Sequence, residues 1–179
     1  MRTILSTERC VLASLTEEDF GAVAKLYVDP EVRKHLGGVI TAEQLEAKFA
    51  AIRLHPEYFA LSIHVRETNR FAGLITLAPH QDGEDTEISF QLLPNFWGQG
   101  LATETVGAVL EYAFSTLGIN WLIAETQSDN KRSRALLERL GMMQIGQLDR
   151  FGAEQVVYAL TNKKSQATTR LSQSVHNRP

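Results

Sequence analysis

The chain has 179 residues, 44% of them hydrophobic, with a net charge of -3 and a pI near 6.0. That length and composition point to one globular domain with a sizeable core, and the slight acidity excludes the basic surface that general nucleic-acid binding needs. A lone cysteine, Cys10, excludes an internal disulfide framework and fits a reducing compartment.

In chain order, Arg9 to Ser14 reads as a first strand, with Cys10 as a buried residue of it. Thr16-Glu-Glu-Asp19 is a helix start, with Phe20, Val23, Ala24 and Tyr27 as the buried stripe, and Asp29-Pro30 breaks that helix. Thr41-x-x-Gln44 is a capping box opening a second helix with Leu45, Phe49 and Ile52 inside; Pro56 closes it. Strand-like runs at 58–65 and 71–77 are joined by Glu67-Thr-Asn-Arg70 as a hairpin. Thr86 to Leu93 alternates as a further strand, with Glu87, Ser89 and Gln91 on one face and Ile88, Phe90 and Leu92 on the other. A long helix follows, with Ala102, Val106, Val109, Leu110, Ala113, Phe114 and Leu117 on one side and Gly118 as its terminator. Then come a strand at 120–126, a helix at 131–140 ended by Gly141, and strands at 144–148 and 155–160. The order β-α-α-β-β-β-α-β-α-β-β predicts a mixed α/β sheet. From Thr161 to Pro179 the chain is polar and reads as a flexible tail. No apolar run approaches the roughly 20 residues of a membrane span, and Arg2, Glu8 and Arg9 interrupt the N-terminus where a secretory leader is apolar. A soluble cytoplasmic protein without membrane or nucleic-acid partners is expected. The five histidines, His35, His55, His64, His80 and His176, have no metal-ligand spacing, so no metal is expected.

The most informative stretch is Pro94 to Glu104, Pro-Asn-Phe-Trp-Gly-Gln-Gly-Leu-Ala-Thr-Glu. It joins a strand to a helix through Gly98 and Gly100, which tolerate backbone angles other residues avoid and allow close approach of a ligand. The helix start adds unpaired N–H groups and a positive dipole end. The combination is an anion site suited to phosphate or pyrophosphate. An NTPase loop requires G-x-x-x-x-G-K-[ST], and no lysine follows either glycine. A dinucleotide fingerprint requires G-x-G-x-x-G/A and usually follows the first strand of its domain; here Thr103 stands at the third small position and nearly half the chain precedes the loop.

The stretch resembles instead the acyl-CoA loop of the GNAT N-acetyltransferases, Q/R-x-x-G-x-G/A, here Asn95-Phe96-Trp97-Gly98-Gln99-Gly100. The run Phe-Trp-Gly-Gln-Gly-Leu-Ala-Thr-Glu is similar to the RimJ/RimL-type branch, which acetylates protein N-termini and small amines. A second block agrees: Ser128 to Ser133, then Leu136 to Met142, is similar to that branch's N-x-x-S…L-G-F segment. The departures are Asn95, where the pattern prefers Gln or Arg, and Met142 in place of Phe. The resemblance runs from Thr7 to Leu160, implying an acetyltransferase domain over 7–160 with a mixed, mostly antiparallel sheet flanked by helices, followed by the tail at 161–179.

The resemblance implies acetyl-CoA as co-substrate and a primary amine as acceptor, either a small molecule or a protein N-terminus, in a monomer or homodimer. It assigns the pyrophosphate to main-chain N–H groups of Trp97, Gly98, Gln99, Gly100, Leu101 and Ala102, with Asn95 and Thr103 flanking them. The pantetheine arm then pairs with the preceding strand near Leu92 and Leu93, where a main-chain N–H also serves as oxyanion donor. Asn130 is expected to contact the pantetheine arm, and Ser133 to lie near the sulfur. Many relatives carry a proton-donating Tyr where this chain has Leu137, so Ser133 or water must protonate the thiolate. Glu87 is the leading candidate for the base, lying about 16–17 Å back along the strand from Leu92 at about 3.3 Å per residue. Asn130 and Ser133 also fit a helix cap, and Glu87 fits a solvated strand position or an ion pair. Glu125 reads as a structural residue paired with Arg134 or Lys131, or as a second carboxylate near the amine. Trp97 reads as packing under the loop. His35 and Gly37-Gly38 fall where the acceptor rim is built in such proteins. The competing reading is a non-catalytic acyl-CoA-binding or sensing module, which needs the loop but neither Glu87 nor Ser133.

Overall fold

The computed structural model describes residues 2–81 and 83–162. Eight strands form one sheet: β1 (Thr3–Ser6), β2 (Cys10–Ser14), β3 (Phe59–Val65), β4 (Phe71–Pro79), β5 (Thr86–Leu92), β6 (Trp121–Gln127), β7 (Met143–Arg150) and β8 (Ala153–Thr161). Their order across the sheet is β1-β2-β3-β4-β5-β6-β8-β7. Every neighbouring pair is antiparallel except β5 and β6. The helices are α1 (Phe20–Val28), α2 (Pro30–Arg33), α3 (Ala42–Leu54), α4 (Leu101–Ser115) and α5 (Lys131–Arg139). The mixed, mostly antiparallel sheet flanked by helices is as expected from the sequence.

Four local expectations are corrected. The strand expected from Arg9 begins at Cys10, and β1 precedes it as the other arm of a hairpin; four residues are too few to display a period. Pro30 ends α1 but also opens α2, because proline suits the first helical position and the Asp29 carboxylate accepts from the Glu31 and Val32 N–H groups at 2.9 and 3.1 Å. The long helix α4 stops at Ser115, so Leu117 is exposed and Gly118 turns the chain beyond the helix end. Thr161, the first residue expected in the tail, belongs to β8 and pairs with Trp121; the tail beyond Asn162 lies outside the described residues.

Alternation in the strands divides the core in two. Leu12, Leu61, Ile63, Ile75, Leu77, Ile88 and Leu92 point to the face covered by α4 and α5, meeting Val106, Val109, Leu110 and Leu137. Leu74 points to the opposite face, meeting Val23, Leu26 and Tyr27 of α1 and Leu45, Phe49 and Ile52 of α3. Leu74 is paired with Gln91, Thr76 with Ser89 and Ala78 with Glu87, so the polar face of β5 lies on the α1–α3 side, as paired residues share a face. Burial of these two apolar sets is the main favourable term in the fold. No helix among the described residues is long and apolar enough to cross a membrane.

One close approach fixes where β5 can sit. A Cβ on Gly73 of β4 would lie 2.2 Å from the Gln91 carbonyl oxygen, so only glycine lets β4 and β5 pair at this point. Gly73→Ala is expected to force the two strands apart and cost about 1–3 kcal/mol or more, read as a lower melting temperature. Gly21→Ala, in the first turn of α1 with no atom within 4 Å of the added carbon, is expected to raise it, with a gain in stability of up to about 1 kcal/mol.

Candidate active site

β5 and β6 pair at one register position, Glu87 opposite Ile123. β4 pairs with β5 along its whole length and β8 pairs with β6 along its whole length. The sheet is thus intact on both outer sides of a central seam that is closed at Glu87, with no further register pair joining the two strands among the described residues. Both strands run the same way, so their carboxyl ends lie at the same end of the seam. Each feeds a helix start: β5 leads through the glycine turn into α4, and β6 leads through Ser128-Asp129-Asn130 into α5. Ligands in open α/β sheets bind at such carboxyl ends.

The first wall is the glycine turn. Pro94–Phe96 forms a single 3-10 turn, after which Gly98 and Gly100 take φ of +72° and +78°. Gly100 is the N-cap of α4, and no side chain caps that end. The first amides of a fifteen-residue helix are therefore left to a ligand or water. The turn is held from three sides. The Trp97 indole N–H donates to the Leu92 carbonyl at 2.7 Å. The Gln99 side-chain amide donates to the Asn95 carbonyl at 2.7 Å. Arg9, from the β1–β2 turn, donates to the Gln99 carbonyl at 2.7 Å and pairs with Glu104 at 2.7 Å. Trp97 is therefore the under-loop packing residue expected.

Leu93 N–H donates to the Ala72 carbonyl, towards β4. By alternation, the Leu92 N–H and C=O turn the other way, towards the seam. Leu92 C=O is the one taken by the indole, so the main-chain donor that this position offers to the seam is the Leu92 N–H.

The second wall is the start of α5. Asn130 caps it, its Oδ1 accepting from the Ser133 N–H at 3.2 Å. That leaves the Asn130 amide nitrogen and the Ser133 hydroxyl as side-chain groups at this end. Leu137, one turn further, is fully buried in the core and has no proton to donate. The two walls meet: the Arg132 guanidinium stacks over the Trp97 ring at 4.9 Å, and Arg139 donates to Thr103 Oγ1 at 3.4 Å.

At the closed end of the seam sits a cluster of charge. The Glu87 carboxylate accepts from Ser89 Oγ at 3.1 Å. Desolvation by burial is the main influence on Glu87 and, with repulsion from Glu125, raises its carboxyl above the usual carboxylate range; His80, the Ser89 hydroxyl and the nearby Glu125 main chain oppose the rise. Glu125 is paired with His80 at 2.8 Å and with Arg150 at 3.1 Å. The expected partners Arg134 and Lys131 are thereby corrected: Arg134 donates to Tyr158 Oη and to the Ser128 carbonyl. Side-chain parity explains this, because Glu125 lies on the α1–α3 side of the sheet, whereas α5 packs on the other.

His80 and Arg150 were not singled out from the sequence. Parity puts His80 on the same side of the sheet as Glu87, two residues beyond Ala78, but register does not bring it to Glu125: His80 is level with Asp85, and Glu125 lies two residues past Ile123 in the other direction, so their contact comes from the chain's course beyond β4. Arg150 has no such local signal; it arrives from the β7–β8 hairpin. On the same side of the sheet, Arg33 gathers the segment after α2 by donating to the Gly38 carbonyl at 2.8 Å and to the Leu36 carbonyl. That segment carries His35 to Gln127 of β6 at 3.1 Å.

Trp97→Phe keeps the ring but removes the donor to Leu92. The expected outcome is a loss of about 1–3 kcal/mol, the range for a buried acceptor left unsatisfied. Faster hydrogen exchange of the 98–101 amides should accompany it. An unchanged melting temperature with unchanged exchange would show that the indole bond does not hold the turn.

Residues 9–143 match the acetyltransferase (GNAT) domain family. The chain is 29% identical over 157 residues to the uncharacterized N-acetyltransferase YoaA of Bacillus subtilis, covering 84% of this chain and 89% of that one. Its fold is similar to the crystal structure of an acetyltransferase from Agrobacterium tumefaciens, with a TM-score of 0.79 and 26% identity over 90% of this chain and 95% of that one. It is also similar in fold, with a TM-score of 0.77 and 18% identity over 89% of this chain and 98% of that one, to RimL, a ribosomal alpha-N-protein acetyltransferase solved in complex with coenzyme A.

Proposed function

The chain belongs to the GNAT acetyltransferase family, and we propose that it transfers the acetyl group of acetyl-CoA to a primary amine, in the manner of the RimJ/RimL-type branch, with 7–160 as the catalytic domain. The observation that carries this reading is the seam between β5 and β6. It has an uncapped helix start behind a glycine turn at its open end and a desolvated carboxylate, Glu87, at its closed end.

In this reading the 97–102 amides hold the pyrophosphate, with Asn95 and Thr103 at the edges of the turn. The pantetheine arm runs along the seam beside Leu92 and Leu93, with the Asn130 amide nitrogen as a side-chain donor to it. Glu87 takes the proton of the attacking amine through intervening water, which spans the distance along β5 from Leu92. The amine nitrogen bonds to the thioester carbonyl carbon, and the Leu92 N–H stabilises the resulting oxyanion. Collapse of the tetrahedral species breaks the C–S bond; the departing thiolate takes a proton through the Ser133 hydroxyl, which regains one from solvent water in the same step, and Glu87 releases the amine's proton to solvent. The acceptor enters from the α1–α3 side, past the 34–40 segment that His35 ties to Gln127. It is a small amine or a protein N-terminus; an α-amine, with a pKa of about 7.7–8.0 against about 10.4 for a lysine, requires less of the base at neutral pH.

Release of free thiol from acetyl-CoA, measured against a panel of amines and protein N-termini, tests the reading. Turnover supports it; tight binding of CoA without turnover by any amine supports a sensing module instead. Glu87→Gln is expected to lower kcat by about 10²–10⁴ with little change in CoA affinity. Because burial raises the Glu87 carboxyl, the acidic limb of the wild-type pH profile should lie above the ordinary carboxylate range: the base becomes protonated, and the rate falls, as pH drops through it. The Gln variant loses that limb, and its deficit is largest above that limb but below the amine's own pKa. A loss within about threefold rules out Glu87 as the base. Ser133→Ala is expected to slow CoA release relative to binding, and normal turnover refutes its role.

A further inference from the structure

The Arg9 side chain reaches across from the β1–β2 turn to the glycine turn, ninety residues away in the chain. Its contacts form a built bracket. The Arg9 main-chain N–H donates to Glu104 Oε1 at 2.8 Å, and its Nε donates to Glu104 Oε2 at 2.7 Å, so one carboxylate fixes both the backbone and the side chain of Arg9. The remaining arm of the guanidinium, through Nη1, donates to the Gln99 carbonyl at 2.7 Å. Glu104 is itself well seated: burial raises its carboxyl, but hydrogen bonds from Thr7 and from the Arg9 main chain and guanidinium, with the Arg9 charge, bring it below the usual carboxylate range. It is the acidic residue in the first turn of α4.

We propose that Arg9 is a positioning residue for the acyl donor, holding the Gln99–Gly100 peptide so that the Gly100 N–H faces the pyrophosphate of acetyl-CoA. This rests on the function proposed above. The physical reason is the planarity of the peptide: in a trans amide the C=O and the next N–H point in opposite directions. A carbonyl clamped on one side by a guanidinium therefore aims the following N–H to the other. Gly100, at positive φ, has no side chain to restrict rotation of that peptide on its far side, so an external clamp helps to orient it. A charged donor on the carbonyl also polarises the amide and strengthens its N–H as a donor. Arg9 has a second consequence. A carboxylate in the first turn of an anion-binding helix repels the phosphates, and the ion pair with Arg9 offsets that repulsion.

The test compares two acyl donors, acetyl-CoA and S-acetylpantetheine, which carries the thioester and the pantetheine arm but no pyrophosphate. Arg9→Ala is expected to raise KM for acetyl-CoA roughly ten- to hundredfold, corresponding to about 1.4–2.8 kcal/mol, with kcat within about threefold. The loss in kcat/KM with S-acetylpantetheine should be at least about tenfold smaller, because that donor does not use the clamped amide. Arg9→Lys should restore the charge effect only, since an ammonium cannot bridge Glu104 and the Gln99 carbonyl as a planar fork does. Arg9→Ala with Glu104→Gln should recover part of the acetyl-CoA KM by removing the uncompensated carboxylate. Equal losses with both donors, or an acetyl-CoA KM within about twofold of wild type, overturn the assignment. A wild type that neither binds CoA nor turns over acetyl-CoA overturns this assignment and the function together, whereas an active wild type with an unchanged Arg9→Ala variant overturns this assignment alone.

Discussion

Two well-paired half-sheets meet at one bridge, Glu87 opposite Ile123, and the rest of the molecule is arranged around that single point of closure. Buried main-chain donors and acceptors must be paired somewhere, so a seam between strands is costly unless side chains supply partners. Here one does. The Trp97 indole takes the Leu92 carbonyl. That bond does part of what a continued ladder would have done, and it leaves the seam available to something inserted along it. Because β5 and β6 are parallel, the helix starts that follow them face the same opening. An antiparallel pair would have placed the two helix starts at opposite ends.

Charge is distributed along the seam in a definite order. The open end offers uncapped helix amides together with Arg132 and Arg9. The closed end holds two carboxylates with different surroundings. Glu125 is satisfied by His80 and Arg150. Glu87 has the Ser89 hydroxyl as a hydrogen-bond partner, and desolvation is the largest influence on it. Of the two, Glu87 is the one proposed as the base, since a carboxylate raised by desolvation is a stronger base when ionised. Glu125 acts as an anchor that draws His80 of the β4 end and Arg150 of the β7–β8 hairpin onto β6. Three separate parts of the chain thereby enclose the place where the acceptor amine is proposed to meet the thioester.

How much of this could be read from the residues follows from the range of the interactions. The glycine turn, the α4 start and the Asn130 cap are set within a few positions of the chain, so their local spacing displays them. The face of β5 that carries Glu87, Ser89 and Gln91 follows from alternation alone. Glu125's partners depend on parity, which puts Arg134 on the wrong side of the sheet and His80 on the right one, and on the chain's course beyond β4. Arg150 enters through a hairpin whose register shifts between Gln144 and Gly146, beyond any local pattern. The Arg9 bracket links residues 9, 99 and 104 across a sheet edge, and no short window contains it. β1 was hidden by its length, and α2 by the double meaning of Pro30 as a terminator and a first-turn residue.

The central claim is that the seam and the glycine turn together form the acyl-donor site. Amide chemical shifts followed by NMR while CoA is titrated test it most directly. The 98–102 amides and the Leu92 amide are expected to move together with one dissociation constant, the first set through the pyrophosphate and the second through the arm along β5. Amides of β1 and of the outer edge at β7 should stay in place. Shifts confined to other surfaces, or a glycine turn that moves while Leu92 does not, would contradict it.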